Sequence, residues 1–159
     1  MNNTLEIPVN PIRTRVSQGA KRKILLVDED PAIRYVLVRL LSEEGFMALS
    51  TASGAEAMEL ADGTHFDLIL LDVSCRFEDG WETFNQFTAR DPLQPIVILS
   101  SPSNQSMPPF GTGMAGLVEK PLDFTKLFQM IHALLEEAPV DHSPMTGGAN
   151  FHFVPGAAN

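Results

Sequence analysis

The sequence is poor in several residue types, and each scarcity excludes a class of protein. Cys75 is the only cysteine, which excludes an internal disulfide and a zinc site built from several thiolates. No apolar run approaches the roughly 18 residues that a membrane-spanning helix needs, and the amino-terminal stretch lacks the apolar core of a signal peptide. We therefore expect a protein that does not enter the membrane and that works in a reducing cytoplasm.

Positive charge is scarce as well. The 159 residues include 11 lysines and arginines against 20 aspartates and glutamates, so the formal net charge is −9. Such a chain repels the phosphate backbone of DNA and RNA at long range, and direct binding to nucleic acid is not expected. The length and the hydrophobic fraction of 44% are typical of one soluble domain with residues left over for tails.

The two ends of the chain differ in composition from its middle. Residues 1–20 are polar, contain two prolines and lack apolar periodicity, which is typical of a flexible leader. Residues 139–159 combine proline, glycine and small residues, and they predict a flexible tail. The folded domain is therefore expected over residues 21–138.

Between the tails, short apolar runs alternate with segments of helical period, which is typical of a parallel sheet covered by helices. The five predicted strands are KILLV, FMALSTA, FDLILLD, PIVILSS and LVE. Helices are predicted after the first, second, third and fifth strands, beginning near Asp30, Ser53, Trp81 and Asp123. A fourth helix should lie in segment 102–116 by rhythm, but the prolines and glycines there predict that it is irregular or shortened.

Polar side chains follow four of the predicted strands. Ligands of an open α/β sheet bind in the crevice beyond the carboxyl ends of the strands, so these positions are the candidate site. They are Asp28 and Glu29 after the first strand, Asp72 at the end of the third, Ser100 at the end of the fourth and Lys120 after the fifth.

Three carboxylates at one edge repel one another, so the site must hold either a proton or a cation. Mg²⁺ suits it, because Mg²⁺ accepts one or two carboxylates together with waters and a phosphoryl oxygen. This assigns Asp28 and Glu29 to the metal and leaves Asp72 as a nucleophile toward phosphorus. Lys120 and the Ser100 hydroxyl would then stabilise charge on the transferred oxygens.

The segments ILLVDEDPAIR, FDLILLDVSCRFEDGWE, PIVILSS and LVEKPL stand in the order and spacing of one family. Over about residues 22–137 the chain resembles the response-regulator receiver domains of two-component signalling. The resemblance implies the flavodoxin-like receiver fold, with a doubly wound, five-stranded parallel sheet. It also implies that Asp72 accepts a phosphoryl group from a phosphohistidine on a partner.

The resemblance further implies the roles of the remaining site residues. Mg²⁺ would be held by Asp28, Glu29, Asp72 and the backbone carbonyl of Ser74. Ser100 and Lys120 would contact the phosphoryl group, and Pro121 would support Lys120 through a peptide bond that is commonly cis in the family.

The resemblance implies a signalling module rather than an enzyme. Its phosphoryl donor would be a sensor histidine kinase or a histidine phosphotransfer protein, and its output would pass by contact to a downstream protein that the sequence does not identify. Arg76, Leu117 and segment 102–116 depart from the family pattern, which predicts an output surface that is not typical of the family.

Two other functions are compatible with parts of the sequence. A receiver-like domain that docks partners without being phosphorylated would explain the three departures. A phosphohydrolase resembling the haloacid dehalogenases would use Asp28 as nucleophile and Asp30 as acid. The second is disfavoured because Ala32 stands where that family has threonine or valine, and because Asp72 would have no role.

Overall fold

A computed structural model describes residues 20–74, 80–102 and 114–136. Within these residues the chain forms five strands and four helices. The strands are β1 (Lys23–Val27), β2 (Met47–Thr51), β3 (Leu68–Asp72), β4 (Ile96–Ser100) and β5 (Met114–Glu119). The helices are α1 (Pro31–Glu43), α2 (Gly54–Gly63), α3 (Gly80–Arg90) and α4 (Phe124–Glu136). None of these helices is long and apolar enough to cross a membrane.

All pairs of neighbouring strands are parallel, and the order across the sheet is β2-β1-β3-β4-β5. After β1 the chain moves to one side to form β2, and it then returns to form β3 on the other side. The reversal of direction places the topological switch point between β1 and β3, where sheets of this type bind ligands. In the register of these two strands Val27 lies beside Leu71, so Asp28 and Asp72 leave the sheet next to each other.

Apolar residues cover both faces of the sheet, as the continuous apolar runs of β1, β3 and β4 predict. Successive side chains of a strand point to opposite faces, so Ile24 packs with α1 and α4 whereas Leu25 packs with α2 and α3. The two resulting cores confirm the predicted doubly wound architecture.

Capping hydrogen bonds confirm three of the four predicted helix starts, and α3 begins at Gly80, one residue before the predicted Trp81. The Asp30 carboxylate accepts from the amides of Ala32 and Ile33 at the start of α1. The Ser53 hydroxyl accepts from the Glu56 amide at 3.3 Å at the start of α2. In the same way the Asp123 carboxylate caps α4 through the Lys126 amide at 3.1 Å.

Strand β5 is longer than predicted, because it begins at Met114 instead of Leu117. Its first residues fall within segment 102–116, where glycine disfavours a strand by propensity. In β5 Met114 pairs with Ile96 and Gly116 with Val97 of β4, so strand pairing overrides the local signal. Helix α4 packs closely against this strand: a Cβ at Gly116 would lie 2.4 Å from the Met130 sulfur, and that side chain would have to shift.

Several sequence predictions lie outside the described residues. They concern the predicted leader up to residue 19, Cys75 and Arg76 within residues 75–79, the predicted irregular helix within 103–113, and the predicted tail 139–159. The boundaries proposed for the folded domain stay a prediction.

We expect Gly80→Ala to destabilise the protein by about 2 kcal/mol, as overpacking does in well-packed interiors. A Cβ on Gly80 would lie 2.6 Å from the Cα of Val73 and 3.0 Å from the backbone oxygen of Asp72. The matched control is Gly63→Ala, because nothing lies within 4 Å of a Cβ at that position. The control should be neutral or stabilising by up to about 1 kcal/mol. Urea unfolding of both variants tests this, and equal effects would contradict the packing described for Gly80.

Candidate functional site

The site is built around two neighbouring carboxylates at the carboxyl edge of the sheet. Asp28 follows β1 and is fully buried, and Asp72 ends β3 with only 4% of its surface exposed. Two carboxylates buried side by side are costly, because burial removes the water that stabilises each charge and the charges repel each other. Both therefore require compensating partners.

The partner that the two carboxylates share is Lys120, which follows β5. Its ammonium nitrogen lies 3.0 Å from Asp28 Oδ2 and 2.8 Å from Asp72 Oδ2, so one cation bridges both acids. The Lys120 amide donates to the Ser100 carbonyl at 2.7 Å, which ties this residue to the end of β4. The peptide bond from Lys120 to Pro121 is cis. The structure thus brings together three residues that lie far apart in sequence.

The other carboxylate oxygen of each aspartate is held by a backbone amide two residues later. The Asp30 amide donates to Asp28 Oδ1 at 2.8 Å, and the Ser74 amide donates to Asp72 Oδ1 at the same distance. The Ser74 hydroxyl also donates to Asp72 Oδ1. These bonds fix the rotation of the two carboxylates, and the Oδ2 atoms converge on the Lys120 ammonium.

The charges in this cluster change the proton affinities of its members. Burial raises the pKa of Asp28, and the negative charge of Asp72 raises it further, although the Asp30 amide and Lys120 oppose both effects. Burial alone would lower the pKa of Lys120, but its hydrogen bonds and attraction to the two carboxylates outweigh burial, so this pKa is raised. Lys120 is therefore an ammonium at neutral pH, and two carboxylates share it.

The remaining predicted site residues lie around this cluster. Ser100 ends β4, the strand next to Asp72, and its exposed fraction is 5%. Glu29 is exposed, in contrast to its buried neighbour Asp28. Across the part of the chain that the structure describes, no group of three or more His, Cys, Asp and Glu side chains is arranged to hold a metal ion.

The cluster nevertheless fits a hard divalent cation. Mg²⁺ needs only one or two carboxylates, because backbone oxygens, waters and a phosphoryl oxygen complete its shell. Asp28 and Asp72 supply two buried carboxylates whose charge exceeds that of Lys120. The donor set is therefore one that Mg²⁺ prefers.

Arg34 lies next to the cluster but was not among the site residues predicted from the sequence. Arg34, in the first turns of α1, donates through Nη1 to the backbone carbonyls of Asp28 at 2.6 Å and Glu29 at 3.0 Å. The available signal was its position, because it is the first basic residue after the acidic pair. Sequence reasoning overlooked it because it considered carboxylate partners and not backbone carbonyls.

Comparison with known proteins adds independent information. A family model described as the response regulator receiver domain matches residues 24–132. The transcriptional regulatory protein GlrR of Escherichia coli strain K12 is 28% identical over 117 residues, which cover 72% of this chain but only 26% of GlrR. The chain thus matches about a quarter of the length of that relative.

Among solved structures, the response regulator TrrA of Thermotoga maritima in complex with Mg²⁺-BeF is similar, with a TM-score of 0.65 and 26% identity. The match covers 71% of this chain and 98% of TrrA. TrrA in its complex with the histidine kinase ThkA is also similar, with a TM-score of 0.64, 26% identity, and coverage of 72% of this chain and 98% of that one. Since the family model alone spans more than half of the chain, the protein belongs to the response regulator receiver domain family.

Proposed function

We propose that this receiver domain accepts a phosphoryl group on Asp72 from a phosphohistidine of a sensor histidine kinase or a histidine phosphotransfer protein. The observation that carries the proposal is the Lys120 ammonium held between the buried carboxylates of Asp28 and Asp72. The similarity to TrrA in a complex with the histidine kinase ThkA supports a kinase as the donor.

In the transfer step an Asp72 carboxylate oxygen forms a bond to phosphorus while the nitrogen–phosphorus bond of the donor breaks. The imidazole leaves with the electron pair and takes up a proton from solvent. The Ser74 amide and hydroxyl hold Oδ1, so we assign the attack to Oδ2, which faces Lys120. Lys120 then stabilises the negative charge of the transferred oxygens, and Ser100 at the end of the next strand donates to one of them.

The predicted ligands of Mg²⁺ are Asp28, Glu29, Asp72 and the Ser74 backbone carbonyl. The ion, when bound, supplies positive charge that offsets the repulsion between the attacking carboxylate and the phosphoryl oxygens. The Mg²⁺-BeF complex of TrrA supports this cofactor. The contribution of the chain itself is to bury Asp28 and Asp72 side by side and to hold them in fixed rotamers.

We propose that the domain acts as a signalling module in the cytoplasm and passes its state to a downstream protein by direct contact, without binding nucleic acid or membrane itself. A phosphohydrolase centred on Asp28 is disfavoured, because the carboxylate of Asp30, its required acid, is engaged in capping α1.

The first prediction from the proposed function concerns phosphorylation by acetyl phosphate with Mg²⁺, followed by the mass of the intact protein. We expect one phosphoryl addition that is lost in Asp72→Asn and in the presence of a chelator. Asp62→Asn is the matched control, because Asp62 is an exposed carboxylate paired with Arg90. No addition to the unsubstituted protein would contradict the proposal and favour a docking module that works without phosphorylation.

A second prediction concerns Lys120→Met, which leaves two buried carboxylates without their shared cation. Removing one partner of a buried ion pair typically costs about 3–5 kcal/mol, and we expect a loss of this order at neutral pH in urea unfolding without divalent ions. Mg²⁺ should restore more stability to this variant than it adds to the unsubstituted protein, because the ion takes over the neutralisation.

The control for this test is Lys126→Met on the exposed surface of α4, where the ion pair with Asp123 is 3.9 Å long. Exposed pairs contribute about 0–1 kcal/mol, so this variant should change little. Equal losses in the two variants, or no extra effect of Mg²⁺ on Lys120→Met, would contradict the role of Lys120.

The raised pKa of Asp28 gives a third prediction. The folded state binds this proton more tightly than the unfolded state, so the stability that the proton contributes is lost as pH rises through the folded pKa. Without Mg²⁺, unfolding measured from about pH 4 to about pH 8 should show this loss, and Asp28→Asn should remove it. Added Mg²⁺ should offset the loss at the upper end of the range. An unchanged pH profile in Asp28→Asn would contradict the assignment.

A further inference from the structure

We propose that Arg34 is a positioning residue that holds the loop of Asp28 and Glu29 in the shape that binds the divalent cation. The inference rests on the proposed function, and it assigns to that function a residue that touches neither metal nor phosphoryl group.

The described hydrogen bonds of the Arg34 guanidinium to this loop go to backbone carbonyls and not to carboxylates. Its Nη1 donates to two consecutive carbonyl oxygens, that of Asp28 at 2.6 Å and that of Glu29 at 3.0 Å. Two carbonyls that point to one donor fix the orientation of the peptide planes between β1 and α1. The direction of the Asp28 side chain depends on these planes. The contact therefore orients the Asp28 carboxylate through the backbone, without touching the carboxylate itself.

The loop is short, because a single residue separates the buried Asp28 from the capping residue Asp30. The Asp28 amide donates to the Thr51 carbonyl at 3.2 Å, and the Asp30 amide donates to the Asp28 carboxylate at 2.8 Å. Arg34 adds the only described side-chain contact to the two carbonyls, and it comes from a helix whose own backbone is fixed by the Asp30 cap. Without it these carbonyls must turn to water, and the loop can relax.

The choice of carbonyls as acceptors matters for function. Lys120 neutralises the two aspartates by occupying their Oδ2 atoms. Arg34 brings a second positive charge to the same loop but makes no described hydrogen bond to a carboxylate oxygen, so it adds no donor that a cation would have to displace from those oxygens. A residue that repelled the cation strongly or competed for its ligands would weaken cation binding instead of supporting it.

The test is the affinity of the full chain for Mg²⁺ alone, measured by isothermal titration calorimetry, in Arg34→Met and Arg34→Lys. Partners that orient metal ligands typically contribute about 10–100-fold to affinity, and we expect Arg34→Met to weaken Mg²⁺ binding at least about tenfold. Arg34→Lys should show an intermediate loss, because its ammonium can reach one or both carbonyls. Arg39→Met is the matched control on the same helix, since Arg39 pairs with Glu43 on the exposed face.

A second readout separates positioning from a general loss of structure. If Arg34 acts through the metal site, phosphorylation of Arg34→Met by acetyl phosphate is slow at low Mg²⁺ and recovers at saturating Mg²⁺. Unchanged affinity in Arg34→Met, or a rate that stays low when Mg²⁺ saturates, overturns the inference while leaving the proposed function intact. Absence of Mg²⁺ binding and of phosphorylation in the unsubstituted protein overturns both.

Discussion

Two aspartates buried side by side are the constraint on which the rest of this structure depends. Their proximity follows from the pairing of β1 with β3, in which Val27 lies beside Leu71 and the next residue of each strand is an aspartate. Both strands are buried along most or all of their length, so the hydrophobic effect fixes their register, and a shift by one residue would reverse which face each side chain occupies. The apolar core thus determines the distance between two charges that would otherwise separate.

The charge imbalance that results links stability to function. Lys120 stabilises the cluster, but one ammonium cannot neutralise two carboxylates. Burial, together with the negative charge of Asp72, raises the pKa of Asp28. In the function we propose, a divalent cation would relieve this charge imbalance, and a phosphoryl group on Asp72 would then offer Lys120 new oxygen partners. The same lysine would serve as a structural counter-ion before phosphorylation and as a phosphoryl ligand afterwards.

Much of this architecture could be predicted from the sequence, because the signals are local. Continuous apolar runs predicted the buried strands, and Asp30, Ser53 and Asp123 predicted the helix starts, since a capping side chain acts within three residues. The features that sequence reasoning missed depend on contacts between elements. The start of β5 at Met114 depends on its pairing with Ile96 of β4, and the contacts of Arg34 depend on how far its side chain reaches back toward β1. Sequence placed Glu29 beside Asp28, but only the structure shows that one is exposed and the other buried.

We propose that the Asp28, Asp72 and Lys120 cluster is built to receive Mg²⁺ and a phosphoryl group together. The most direct measurement is a crystal structure of the full chain grown with Mg²⁺ and beryllium fluoride, a mimic of the phosphoryl group. We predict beryllium bonded to an Asp72 carboxylate oxygen, Mg²⁺ in contact with Asp28 and Asp72, and Lys120 directed toward the fluorides. The proposal would be contradicted if Asp72 stayed unmodified and Lys120 still bridged the two aspartates. The concentrations of Mg²⁺ and beryllium fluoride should be ones that saturate a receiver known to bind both.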